Sequence, residues 1–391
     1  MSTPSNVLII GAGATGRGHV AQLAVESGCA VTFLDKNEPL CALLRASGEY
    51  SVRLVSGHTR TVRISGFRIL HTSDTESLIS ALNDCSLVFT AVCPGNLREA
   101  AASMREPFVR WLKDAGAHDF KNVLCCENMN HSSTTFRDYL LEGFPGGLRE
   151  KLERHVGFAD TMVARVVAQP ADPLSLLGEE YSEWTADRTA FRGPELPRIR
   201  TLELVDDQTR FLQRKLYIHN TGHATLGYLG FLKGHTWIHE AAQDPQIMAV
   251  CEKAIEESGW AIEKEYGFTP EVIRAYRSAL TEKCMSPELP DEIVRVVREP
   301  IRKLGRDERF LGPVRLMLSH GRQPQSLLYG LCAALLARIP GDGQSAEVGR
   351  LLQEKGVSCV NELSGMAVPE DVLSRIDALL PRVREEFSVR A

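Results

Sequence analysis

No Cys-x-x-Cys pair occurs in this chain of 391 residues, although it carries ten cysteines. Zinc ribbons and dithiol redox motifs depend on that spacing, so neither has a sequence basis here. Cys125 and Cys126 are adjacent, a poor geometry for a shared metal or a relaxed disulfide. Cys29, Cys85 and Cys93 lie in or beside apolar runs, where thiols behave as small hydrophobes. A reduced, cytoplasmic protein is expected. The chain also lacks a basic excess: 45 Lys and Arg stand against 50 Asp and Glu, a net charge of -5. Nucleic-acid binding therefore has no electrostatic footprint. Long apolar runs are missing too. The longest, Leu327 to Ala337, falls well short of the ~20 residues that span a bilayer. Met1 to Asn6 holds no basic residue and Val7 to Ile10 is too short for a signal peptide, so no membrane role is expected. There is no internal repeat and no low-complexity segment.

What is present is an ordinary globular composition, 43% hydrophobic and 24% charged, in a chain long enough for two domains. Asn6-Val-Leu-Ile-Ile10 reads as a β-strand running into Gly11-Ala12-Gly13-Ala14-Thr15-Gly16. Val20, Leu23 and Ala24 then keep helical spacing, and Ala30 to Leu34 forms a second strand ending at Asp35. Strand, G-x-G-x-x-G, helix, strand and acidic end together make the dinucleotide fingerprint. Gly11 permits a tight turn, Gly13 lets the backbone approach a pyrophosphate, and Gly16 allows helix and strand to pack closely. The helix N-terminus offers N–H groups to phosphate. Asp35 would accept hydrogen bonds from the adenosine ribose and repel a 2′-phosphate, favouring NAD, a preference that Lys36 weakens slightly.

Val52–Val55 and Thr61–Ile64 alternate around Ser56-Gly57-His58 and predict a hairpin inserted in the sheet. Leu87 to Val92 is a buried strand whose end, Thr90-Ala91-Val92, falls where such sheets place their ligand. Leu97 to Leu112 reads as helix, and Asn122 to Cys126 as a strand ending at Glu127-Asn128. Asn128 there either faces the cofactor's reactive end or caps the next helix. Extended segments follow at Val156–Val167 and Leu176–Trp184. The cluster Arg192-Gly-Pro-Glu-Leu-Pro197 marks the boundary. The expected fold class is α/β, with a doubly wound Rossmann-type domain over 1–195 and a mainly helical domain over 196–391.

Beyond about residue 205, Arg210–Leu232, His239–Tyr266, Pro270–Lys283, Gln325–Arg338 and Ala346–Lys355 carry helical periodicity. The first contains Lys215, His219, Asn220 and His223. At ~100° per residue, His223 lies about 80° and Asn220 about 140° from Lys215. That arc suits a polar substrate, and it equally describes a helix face turned to water. His235 and His239 do not complete a metal motif, so no metal is expected. The charge-rich segment Val294 to Leu304 reads first as a solvated face.

Over nearly its whole length the chain resembles the polyol-specific long-chain dehydrogenases/reductases, and within them the mannitol-1-phosphate 5-dehydrogenases. The resemblance rests on Gly11 to Gly18, Asp35-Lys-Asn37, Cys126-Glu-Asn-Met129, Tyr181-Ser-Glu-Trp184, Glu257-Ser-Gly259, Tyr266-Gly-Phe268 and Arg295 through Arg302-Lys-Leu304 to Asp307. Its most specific part is Lys215-x-x-x-x-Asn220-x-x-His223. It implies metal-free, NAD-dependent hydride transfer in a cleft between two domains, with Lys215 as general acid/base. Asn128 and Asn220 would hold the reacting oxygen, and His223 would contact it. Arg302, Lys303 and Arg309 would be the candidates for a substrate phosphate. The implied partner is a small sugar phosphate or polyol, handled by a monomer or small homo-oligomer. One departure stands out. Many members carry Asp in a Val-Asp-Arg-Ile run, and here it reads Val163-Ala-Arg-Val166, so a free polyol or a sugar acid (mannitol, tagaturonate, fructuronate) is the alternative substrate class. A nucleotide-sensing protein without chemistry is a further alternative, opposed by the intact lysine, asparagine and histidine. If protonated, His219 would lower the lysine pKa; otherwise it is a surface residue.

Overall fold

A computed structural model describes residues 6–55, 59–194, 198–288 and 290–387. The chain divides into two compact units, Met1–Leu212 and Gln213–Ala391.

The first unit holds twelve strands: β1 (Asn6–Ile10), β2 (Ala30–Asp35), β3 (Glu49–Val55), β4 (Thr59–Ser65), β5 (Arg68–His71), β6 (Leu87–Thr90), β7 (Lys121–Cys125), β8 (Val156–Ala164), β9 (Val167–Ala168), β10 (Ser175–Glu179), β11 (Glu183–Asp187) and β12 (Leu202–Val205). Eight form one sheet in the order β12-β11-β8-β7-β6-β1-β2-β5. The six from β8 to β5 pair in parallel, and β11 joins β8 antiparallel. Alternation along β1 shows why both faces are covered. Val7 and Ile9 enter one apolar cluster with Phe33, Phe89 and Trp184, while Leu8 and Ile10 enter another with Leu34, Val88 and Phe108. Period-two side chains that are apolar on both faces demand layers on both sides.

The hairpin β3–β4 forms as expected, with Val52 opposite Val62, its turn at 56–58 lying outside the described residues. It is not inserted in the main sheet. It builds a second sheet, β4-β3-β10-β9, because β10 pairs in parallel with β3 from Ser175 to Glu179. The boundary also falls later than the Pro/Gly cluster. β12 adds to β11 from Leu202 to Val205, which keeps the chain in the first unit until Leu212. The helix expected over 97–112 is two, Leu97–Ser103 and Arg105–Asp114. Cys85 is buried as a small hydrophobe, whereas Cys93 is exposed.

The second unit is helical, and its one isolated β-bridge among the described residues joins Trp237 to Glu292. Its centre is the helix Asn220–Lys233, flanked by Ile238–Gln243, Pro245–Tyr266, Ile293–Val297 and Leu327–Leu336. Ten of its 14 positions show what surrounds it: Asn220, Thr221, Gly222 and every residue from Ala224 to Gly230 are buried. An amphipathic surface helix buries one stripe; this one is buried all round. Gly222 makes the approach possible, since a Cβ there would sit 2.7 Å from Ile255 and 3.0 Å from Leu280. Among the described residues no helix is long and apolar enough to cross a membrane.

Glu257, on Pro245–Tyr266, has a structural task. Its carboxylate accepts the N–H groups of Gln325, Ser326 and Leu327 at 3.0–3.2 Å, just where the helix Leu327–Leu336 begins. A buried carboxylate there satisfies the orphan donors and opposes the helix dipole. A Glu257→Ala variant should lose about 3 kcal/mol of stability, read as a lower midpoint in urea unfolding of the second unit.

Candidate functional site

The glycine loop begins where β1 ends. Gly11 has φ +100°, and a Cβ on it would lie 2.5 Å from the Ala91 carbonyl oxygen. A Cβ on Gly16 would lie 1.9 Å from the Gly11 oxygen, whereas the same position on Gly13 is open. Two glycines therefore close the loop and the third leaves its backbone accessible, which is what a pyrophosphate needs. Helical structure starts at Ala14 and Thr15 and passes into a π-helical turn, Gly16–Ala21. Asp35 closes the other side: its Oδ2 accepts the Ala12 N–H at 2.6 Å and its Oδ1 the Asn37 N–H at 2.8 Å. Each oxygen keeps acceptor capacity for a hydroxyl. The residues present fit a dinucleotide.

Arg17 had no role in the sequence reading. It is fully buried, and its Nε donates to the Ala12 carbonyl at 2.6 Å while NH2 donates to Gln169 Oε1 at 2.9 Å. The glycine loop is thereby tied to the segment that precedes β10. Burial lowers the guanidinium pKa, and nearby Tyr50 and Asp35 oppose that shift.

Thr90, Ala91 and Val92, expected beside the cofactor, lie at and just beyond the end of β6. Thr90 is fully buried, and its hydroxyl donates to Glu127 Oε2 at 2.6 Å. The Val92 N–H donates to Glu127 Oε1 at 2.9 Å and the Ala91 N–H to the Ile10 carbonyl at 2.8 Å. Glu127 thus holds the Thr90 hydroxyl, and the Ala91 carbonyl lies against Gly11, with Ala91 and Val92 half-buried. Glu127, which was quoted only as a neighbour of Asn128, ties two strand ends together. Burial pushes its carboxyl up, partly offset by Thr90 and Val92. Asn128 itself is exposed just beyond β7.

In the second unit the signature does not start on an α-helix. Lys215–His219 is a π-helical turn, and the Asn220 N–H donates to the Lys215 carbonyl, an i→i+5 closure. A wider turn rotates each residue by less than ~100°, so Asn220 comes closer to Lys215 in angle than the ~140° expected. The helix Asn220–Lys233 then takes over. The solvated-face alternative is excluded by burial: Asn220 is 9% exposed and Thr221 not at all. The Thr221 hydroxyl donates to the Arg309 carbonyl at 2.5 Å.

His223 is the best-defined group. Its Nε2 lies 2.8 Å from Asp291 Oδ2, and Asp291 Oδ1 accepts from Arg295 Nε and NH2 at 2.9 and 2.6 Å. Against the upward pull of burial, hydrogen bonds from His223 and Arg295 hold the Asp291 carboxyl down at about 2. Burial lowers the His223 pKa in spite of that carboxylate, which raises it. At neutral pH the pair is therefore a neutral imidazole donating to a carboxylate. Asp291 was missed because 68 residues separate it from His223, and it follows a loop with no periodicity to link them.

His219 is neither a surface residue nor an imidazolium. It is half-buried, its ring centroid is 6.0 Å from that of His223, and burial with the charges of Lys283, His223, Lys215 and Arg309 holds its pKa well below the usual range.

The three phosphate candidates differ. Arg302 is exposed and pairs with Glu299 at 2.9 Å and Glu308 at 3.5 Å. Arg309 is buried, with NH2 3.0 Å from Glu308 Oε2. Lys303 is buried and donates to the carbonyls of Val296 and Arg298. Burial, then the charges of Arg309 and Arg302, brings its pKa down to about 7. The segment keeps a solvated face, with Arg295, Arg298, Glu299 and Arg302 exposed, and buries Lys303 on its other side. Among the described residues no group of three or more His, Cys, Asp or Glu side chains is disposed to hold a metal.

A family model described as mannitol dehydrogenase Rossmann domain matches residues 5–199, and one described as mannitol dehydrogenase C-terminal domain matches 207–363. Among solved structures, a Pseudomonas fluorescens mannitol 2-dehydrogenase, in ternary complex with NAD and D-mannitol, matches with TM-score 0.79 at 17% identity, covering 98% of this chain and 93% of that one. A substrate-free D-sorbitol dehydrogenase matches with TM-score 0.80 at 16% identity, covering 98% and 94%. At these identities the likeness is one of fold.

The buried histidines set a pH dependence. An unfolded histidine binds a proton below about pH 6.5, and one whose folded pKa is depressed does not, so stability falls as pH drops through that value. His219 contributes to this loss. A His219→Gln variant should lose less stability than the parent between about pH 6.5 and pH 5, measured by urea unfolding at each pH.

Proposed function

The chain belongs to the mannitol dehydrogenase family, and from that premise we propose an NAD-dependent polyol dehydrogenase interconverting D-mannitol 1-phosphate and D-fructose 6-phosphate. The observation that carries the reading is the second unit's signature: Lys215 on a π-helical turn, a buried Asn220, and His223 hydrogen-bonded to Asp291. A helix interior retains such polar groups at a cost, and functional sites are where that cost is met.

Nicotinamide dinucleotide, when bound, supplies the hydride acceptor or donor. The open backbone at Gly13, the helical turn from Ala14 and Thr15, and Asp35 are the groups that would hold it. Lys215 takes the hydroxyl proton as the alcohol is oxidised and returns it when the ketone is reduced. Asn220 and Asn128 offer amide donors to the oxygen as negative charge develops.

A second reading has its own observation. Arg302 and Arg309 are engaged by Glu299 and Glu308, and Lys303 by backbone carbonyls. With Ala164 in place of a hydrogen-bonding side chain, this favours a sister activity on a free ketose or a sugar acid.

Purified protein should oxidise NADH with fructose 6-phosphate faster than with fructose, tagaturonate or fructuronate, followed by absorbance. Faster turnover of an unphosphorylated substrate would select the second reading. A Lys215→Ala variant should bind NADH with unchanged affinity and lose at least about 100-fold in kcat; unchanged turnover would refute the role of the lysine.

A further inference from the structure

We infer that Asp291 is a positioning residue that fixes the tautomer of His223 and so presents the substrate with an acceptor nitrogen, with Arg295 setting the orientation of Asp291. The inference rests on the dehydrogenase reading for its kinetic part and on geometry alone for the tautomer. An ionised carboxylate only accepts hydrogen bonds. With Nε2 2.8 Å from Asp291 Oδ2, that nitrogen carries the proton, and Nδ1 of the neutral ring has only a lone pair to offer. Such a nitrogen cannot stabilise an oxygen that is gaining negative charge. It accepts from an O–H or an ammonium, which assigns His223 to a substrate hydroxyl beside the reacting carbon or to the charged form of Lys215. The reacting oxygen is left to the amides.

The support around Asp291 is built to resist rotation. Its side chain is 12% exposed. Its carbonyl accepts the Ile238 N–H at 2.9 Å, and the next residue, Glu292, forms the bridge to Trp237. Both Arg295 donors converge on Oδ1, leaving Oδ2 for the histidine.

This arrangement makes Asp291→Asn a sharp probe. In the variant Arg295 can be satisfied only by the amide oxygen, so the NH2 group is turned toward His223 Nε2. It must then donate, and the ring proton moves to Nδ1. An Asp-to-Asn change behind a catalytic histidine acts in the same way in serine proteases. Nitrogen-15 NMR of histidine-labelled full-length protein should show His223 protonated on Nε2 in the parent and on Nδ1 in D291N. The variant should lose at least about tenfold in kcat for the polyol with NADH affinity unchanged. Adding Arg295→Met frees the amide to turn over and should restore the parent tautomer together with part of kcat. An Nδ1–H parent, or a D291N protein whose tautomer is unchanged, overturns the inference. So does an inverted tautomer with parental kinetics, which would make the contact structural only. Should the parent reduce none of the ketoses, the dehydrogenase reading fails while the NMR result still decides the tautomer.

Discussion

The helix Asn220–Lys233 is buried at ten of its 14 positions, and the second unit depends on that constraint. A buried helix has little water to pair its polar side chains, so most find partners in the protein, the buried Thr225 hydroxyl being an exception. Thr221 donates to the Arg309 carbonyl and Tyr228 to that of Val297. His223 reaches Asp291. Each bond ties the central helix to a segment between residues 291 and 309. The basic stretch is amphipathic: Val296, Val297 and Lys303 are buried, while Arg295, Arg298 and Arg302 face water.

The π-helical turn before that helix is the second consequence. An i→i+5 closure is less stable than an α-turn and recurs at functional sites. Here it carries Lys215 at its first position and delivers Asn220 to the buried helix. The first unit repeats the device, with a π-helical turn at Gly16–Ala21 directly after the glycine loop. In both units the proposed functional segment departs from regular geometry while its surroundings remain regular, the pattern expected where local stability is given up for function.

Local patterns were legible in the sequence wherever one stretch of chain determines its own environment. The glycine loop, Asp35 and the alternating strands belong to that kind, whereas Lys215–His223 reads locally only as a polar arc that the family resemblance singles out. What escaped depends on partners distant in sequence. The β3–β4 hairpin reads identically whether it joins the main sheet or, as it does, pairs with β10. Glu127, which holds the Thr90 hydroxyl, has no signal of that role in its own stretch of chain. The burial of Lys303, with its amine donating to the carbonyls of Val296 and Arg298, is equally invisible in a charge-rich run. Arg17 and Asp291 carry no periodic signal at all, because each acts through contacts made across the fold.

The central claim is that the chain moves hydride between a nicotinamide and a sugar carbon, with its own side chains handling the proton. Isotope transfer tests it most directly. Protein incubated with fructose 6-phosphate and NADH deuterated at the transferring position should yield a polyol phosphate bearing one deuterium on the former carbonyl carbon, located by mass spectrometry and NMR. Oxidation of NADH that leaves the sugar product unlabelled, with every ketose and keto-acid offered, would contradict the account.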